Sequence, residues 1–174
     1  MTKHIIDVYW NGVIEYIEEN SDDIPEESGV YEILVKNDDG KYYRKYIGQS
    51  DNLNDRYFSH MSNQEKNEDI KNGLKKYHCG FDYALLDPED DRKDAEQKLY
   101  DEHGYSWNKQ RPEGSGRNSD MEIEEHHAEE GEKMARIMGN CLRRMPFSIQ
   151  ELVEKVLIYC KDGVVGRKRS LQKR

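Results

Sequence analysis

Residues 29 to 60 constrain the fold of this 174-residue chain more than any other stretch. Gly29 to Lys36 alternates and is rich in Val, Ile, Leu and Tyr, which predicts a strand, and Asn37-Asp38-Asp39-Gly40 supplies the residues of a turn. Lys41 to Gln49 predicts the returning strand. Ser50 or Asp51 is then placed to cap a helix on which Arg56 and His60, four residues apart, share one face. Tyr31 and Tyr46 thus lie on paired strands next to a helix bearing an arginine and a histidine.

The same reading extends along the chain. Asn67 to Tyr77 predicts a helix closed by Cys79-Gly80, Phe81 to Leu86 a third strand, and Asp87 to Asp91 a turn into a helix that carries Glu96. Upstream, Asn11-Gly12 between Val8-Tyr9-Trp10 and Val13-Ile14 is a hairpin signal, but Trp10, Ile14 and Ile17 also fall at helical spacing. A short helix near residues 10 to 19 is preferred. Arg111 to Asn118, with Pro112, Gly114 and Gly116, predicts a loop; Gly114-Ser115-Gly116-Arg117 lacks the Lys-Ser/Thr of a phosphate-binding loop. Ser119-x-x-Glu122 and Ser148-x-x-Glu151 look like capping boxes. They open a long helix with Ile123, Met134, Ile137, Met138, Cys141 and Leu142 inside, and a last helix with Leu152, Val153, Val156, Leu157 and Cys160. The expected class is α/β, a small three-stranded antiparallel sheet flanked by helices, with added C-terminal helices. Its segments are an N-terminal extension (1–28), a central cassette (29–110) and a helical C-terminal extension with a basic tail (111–174).

Composition narrows the function. No stretch approaches eighteen consecutive apolar residues and the N-terminus has no apolar leader, so a cytoplasmic protein with no membrane partner is expected. Cys79, Cys141 and Cys160 are odd in number and form no CxxC pair, which fits reduced thiols. The net charge of −9 disfavours nucleic-acid binding over the whole surface, but the charge is unevenly spread. Residues 1–28 hold one Lys against eight acids, whereas residues 161–174 hold six basic residues against Asp162. Arg167, Lys168 and Arg169 are therefore candidate phosphate contacts, or part of a solvated tail. Glu124-Glu125-His126-His127, without HExxH spacing, reads as a solvated helix face.

Gly29-Val30-Tyr31, Tyr46-Ile47-Gly48, Leu53-x-x-Arg56, Glu96 and Asn108, in this order, resemble the GIY-YIG nuclease family over roughly residues 28 to 110, with Val30 in place of the first Ile. The resemblance implies an endonuclease that hydrolyses DNA phosphodiester bonds with Mg²⁺, or Mn²⁺ as a substitute, held by Glu96. It also implies that Arg56 holds the scissile phosphate, that Tyr31 or His60 assists attack of water, and that Tyr46 and Asn108 support them. A tyrosine phenol titrates near 10, so it needs cationic help to act as a base, whereas histidine titrates near neutrality; the residues leave the choice open. Taken singly, strand tyrosines are commonly core residues and Glu96 a solvated one. The joint frame is what singles them out. A restriction-type enzyme, acting as monomer or homodimer, is the expected subtype. The alternatives are a repair-type nicking nuclease, suggested by Pro25 ahead of the first triplet, and a noncatalytic nucleic-acid-binding or assembly module.

Overall fold

A computed structural model describes residues 4–117 and 121–127. In chain order it contains β1 (His4–Trp10), β2 (Ile14–Glu15), a 3-10 helix (Glu18–Asp23), β3 (Gly29–Lys36), β4 (Tyr42–Ser50), α1 (Leu53–Met61), α2 (Glu68–Lys76), β5 (Cys79–Leu85), α3 (Glu89–His103) and β6 (Met121–His127). The class is mixed α/β. Instead of three strands, the main sheet has four, all antiparallel, in the order β2-β5-β3-β4, and β1 and β6 form a separate parallel pair.

The extra strands follow from patterns outweighed in the sequence. Along β1, Ile6, Val8 and Trp10 are buried while Ile5, Asp7 and Tyr9 face out, a period of two that overrides the helical spacing of Trp10, Ile14 and Ile17. No helix forms over residues 10 to 19 as a whole; only a 3-10 turn begins at Glu18. Nor do β1 and β2 form a hairpin, because the backbone N–H of Asn11 donates to the Tyr83 carbonyl (2.8 Å) and that of Gly12 to Asp82 Oδ1 (2.8 Å). The chain after Trp10 is thus captured by β5. The helix expected from Ser119 begins instead, over Met121–His127, as β6, whose backbone pairs with β1 from His4↔Met121 to Trp10↔His127. The rest of that helix, the last helix, Cys141, Cys160 and the basic Arg167, Lys168 and Arg169 lie outside the described residues.

Smaller boundaries shift for local reasons. Asn52, not Ser50 or Asp51, caps α1: its side chain accepts from the Asp55 N–H (3.0 Å), and Ser50 Oγ instead accepts from the Asn52 N–H (3.1 Å). Cys79-Gly80 does not close α2, which ends at Lys76; both residues pair with β3 as the start of β5. The sheet separates two cores. One face carries Tyr31, Ile33, Phe81 and Tyr83 against Leu53 and Tyr57 of α1 and Ile70 of α2. The other carries Val30, Ile47 and Ala84 against Ala95 and Leu99 of α3 and Ile6, Val8 and Trp10 of β1. Burying each such aliphatic side chain contributes about 1.5–3 kcal/mol.

Among the described residues, no helix is long and apolar enough to cross a membrane.

Candidate active site

On α1, Leu53, Tyr57 and His60 are buried at spacings of four and three, so they form its inner face and leave Arg56 at the flank. The Arg56 Nε–H donates to the Tyr31 hydroxyl oxygen at 2.9 Å, and His60 Nε2 lies 2.8 Å from the same oxygen. Behind the imidazole, Nδ1 is 2.5 Å from Glu65 Oε2, and Glu65 Oε1 accepts the Asn67 backbone N–H at 2.6 Å. Tyr31 is 0% and His60 1% exposed. The phenol fits because its register partner on β4 is Gly48: a Cβ there would overlap the Tyr31 hydroxyl and Cζ. Phe81, stacked on the ring at 5.2 Å, closes the other side.

Of the remaining candidates, Tyr46 lies beside this phenol, whereas Glu96 and Asn108 do not touch it. Tyr46 lies 6.1 Å from the Tyr31 ring and 5.5 Å, edge-on, from His60, centroid to centroid. Glu96, on the opposite layer in α3, is partly buried, accepts no hydrogen bond among the described residues, and still feels the Arg56 charge. Asn108 is not joined to these polar groups. Its side-chain amide pairs with the Ile47 backbone, accepting its N–H (3.0 Å) and donating to its carbonyl (2.9 Å). With Trp107 N–H on the Lys45 carbonyl (2.8 Å), it covers the open edge of β4 on both sides of Tyr46. The Trp107 indole in turn lies against α2 where Gly73 leaves it room, and Asn67 Nδ2 donates to the Trp107 carbonyl (2.8 Å).

Charge is distributed unevenly across this cluster. Burial pushes the Tyr31 phenol well above its ordinary value, against the pull of Arg56. Burial and then the Arg56 charge lower His60 to about 4, so its imidazole is neutral at pH 7. Burial raises Glu96 to about 7, opposed only in part by Arg56. Arg56, whose guanidinium burial disfavours, is nevertheless held above its ordinary value by the phenols of Tyr31 and Tyr46.

Two features left no mark in the sequence reading. Glu65 sits in the short connection between α1 and α2, where no periodicity flags it. Glu32 follows Tyr31 on β3 and so points to the other core, where it is 2% exposed. There it receives the Tyr105 hydroxyl and lies 3.1 Å from Arg44 Nε; Arg44 also reaches Glu125 (2.9 Å), which accepts the Trp10 indole N–H (2.6 Å). Burial raises Glu32 to about 7 despite Arg44. An acid with a raised folded-state pKa favours the native state most below its unfolded value, near 4.5, and loses that contribution as pH rises to about 7. The stability advantage of wild type over Glu32→Gln is therefore expected to shrink between pH 5 and pH 8 in denaturant titrations; a difference constant with pH would remove Glu32 as the source.

Gly114 to Arg117 is no free linker. Asp94 on α3 accepts from Ser115 N–H (2.7 Å), Ser115 Oγ (2.7 Å) and Arg117 Nε (2.8 Å). Glu124 to His127 lie on a strand rather than a helix, and among the described residues potential metal ligands converge in two groups, Asp7-Glu124-His126 and Glu102-His103-Glu125. Neither group includes Glu96. No protein-family model matches the chain, and no curated protein matches it either.

Proposed function

We propose that the protein is a Mg²⁺-dependent DNA endonuclease of the GIY-YIG type, of the restriction subtype. The observation that carries this reading is the buried Tyr31 phenol held between Arg56 and His60, with the partly buried Glu96, which has no hydrogen-bond donor among the described residues, within the field of the same arginine. Burial of the Glu96 carboxyl opposes folding once it is ionised, and the arrangement suits a site that receives phosphate and a cation.

A hard carboxylate oxygen without a hydrogen-bond donor fits Mg²⁺, which keeps most of its waters and is often bound by one or two carboxylates. When bound, the cation would neutralise phosphate charge and favour ionisation of water. The protein's own groups supply the rest. Arg56 offers a planar pair of donors to a nonbridging phosphate oxygen, which a lysine does not reproduce. As it turns to phosphate, it uncovers the Tyr31 hydroxyl for the attacking water. Tyr46, fixed by the Asn108 and Trp107 contacts on either side, lines the approach.

A second reading, a noncatalytic nucleic-acid-binding module, draws on one observation: the Tyr31 hydroxyl already has two side-chain partners and no solvent access. Supercoiled plasmid incubated with the protein and Mg²⁺, beside an EDTA control and Glu96→Ala, separates the two. The nuclease reading expects metal-dependent conversion to discrete linear products, lost in the variant. Nicked circles alone would favour a repair-type enzyme, and intact plasmid with retained DNA binding would favour the noncatalytic module.

A further inference from the structure

We infer that Glu65 is a positioning residue that holds His60 in the one tautomer able to take the Tyr31 phenolic proton, so that Glu65, His60 and Tyr31 form a proton relay. The inference rests on the nuclease reading above. It follows from counting donors. Arginine has only donors, so the Tyr31 oxygen accepts from Arg56 Nε at 2.9 Å. The phenolic hydrogen must point elsewhere, and its other partner among the described residues is His60 Nε2 at 2.8 Å. Nε2 is therefore the acceptor. A neutral imidazole then carries its hydrogen on Nδ1, aimed at Glu65 Oε2 at 2.5 Å. The Asn67 backbone N–H on Oε1, at 2.6 Å, stops the carboxylate from turning away.

The charges agree with this assignment. Burial opposes ionisation of Glu65, but the Asn67 N–H and then His60 outweigh it and hold the carboxyl below its usual range. Burial and the Arg56 charge oppose an imidazolium at this place, and the hydrogen bond and charge of Glu65 offset them in part. In the relay the Tyr31 O–H bond breaks and an Nε2–H bond forms on His60. The resulting phenolate, beside Arg56, takes a proton from water. The water oxygen forms its bond to phosphorus as the bond to the departing oxygen breaks, and that oxygen takes a proton from solvent. The imidazolium afterwards loses its proton to solvent through the cavity it lines with Tyr16, Met61, Ser62, Lys71 and Lys75.

The test is ¹⁵N NMR of the His60 ring in the full-length protein, joined to the pH dependence of plasmid cleavage by wild type and Glu65→Gln. Glutamine has one acceptor oxygen for two donors, and its NH₂ favours the opposite tautomer. Wild type should carry its ring proton on Nδ1. Glu65→Gln should move it to Nε2, lower kcat about 100-fold or more, as expected for a lost acid–base path, and shift the pH profile, with KM for DNA unchanged. A wild-type ring protonated on Nε2 overturns the relay without recourse to any variant. So does a cutting wild type whose Glu65→Gln form keeps kcat and pH profile. A wild type that cuts nothing overturns the nuclease reading itself, and the relay with it.

Discussion

Glu96→Gln is expected to abolish DNA cleavage, by about 10³-fold or more, while DNA binding persists and the folded protein becomes no less stable at pH 8. The first part follows from charge: glutamine keeps the shape but not the anion, and a bound cation supplies several kcal/mol of transition-state stabilisation, each 1.36 kcal/mol of which is tenfold in rate. The second part separates function from architecture. Wild-type Glu96 is an acid raised to about 7 by burial, with no hydrogen-bond donor among the described residues. Its ionisation at pH 8 opposes folding, and a neutral amide removes that opposition. Well below the unfolded value, near 4.5, the carboxyl is protonated in both states and the two proteins should converge. Cleavage by wild type at limiting Mg²⁺ should likewise rise as pH passes through about 7, because cation binding requires the deprotonated acid. Unchanged cleavage by Glu96→Gln would take the residue out of the mechanism. A large loss of stability at pH 8 would make it a structural acid instead.

Gly48→Ala is expected to damage both fold and activity, although it adds a single methyl group in a strand. The new Cβ would overlap the hydroxyl and Cζ of Tyr31, and the ring has no room to retreat because Phe81 is stacked 5.2 Å behind it. Overpacking of this kind costs about 1–3 kcal/mol, and displacing the hydroxyl also weakens its bonds to Arg56 and His60. For a domain of this size each kcal/mol lowers the Tm by about 2–4 °C. Thermal melting should therefore show a drop of several degrees, and plasmid cleavage a loss of about 100-fold or more. Combining Gly48→Ala with Tyr31→Phe removes one of the overlapping atoms, so the double variant should be more stable than additivity predicts. A Gly48→Ala protein with wild-type Tm and cleavage would mean that the Tyr31–Gly48 contact is looser than its geometry implies.

The legible part of the molecule was the part whose signals are local. Alternation in Gly29 to Lys36, the turn after it and the four-residue step from Arg56 to His60 together placed Tyr31, Arg56 and His60 within one hydrogen-bonded cluster. Long-range pairing was not legible. β1 and β6 are far apart in sequence, and each supports a second reading: Trp10, Ile14 and Ile17 fit a helix, and Ser119-x-x-Glu122 imitates a helix cap. A parallel partner settles both, and no single-segment pattern announces one. Glu65 was invisible for a related reason. Its role depends on which side of His60 it meets, a matter of loop geometry and not of spacing. Asn108 illustrates a different limit: the sequence grouped it with the other site residues, whereas its side chain pairs with the backbone of Ile47.

The parallel pairing of β1 with β6 also governs the order in which the chain can complete itself during synthesis. β1 emerges from the ribosome well before β6 and cannot complete its pairing until residue 127 has emerged, and a loop that long makes the contact late and entropically expensive. Until then Ile6, Val8 and Trp10 lack the lateral cover of Met121 and Ile123. A fragment cut at residues 29 to 110 would lose β1 as well, and with it the cover that Ile6, Val8 and Trp10 give to the core of Val30, Ile47, Ala84, Ala95 and Leu99. The minimal cassette suggested by the motif is thus smaller than the unit that can hold it in shape.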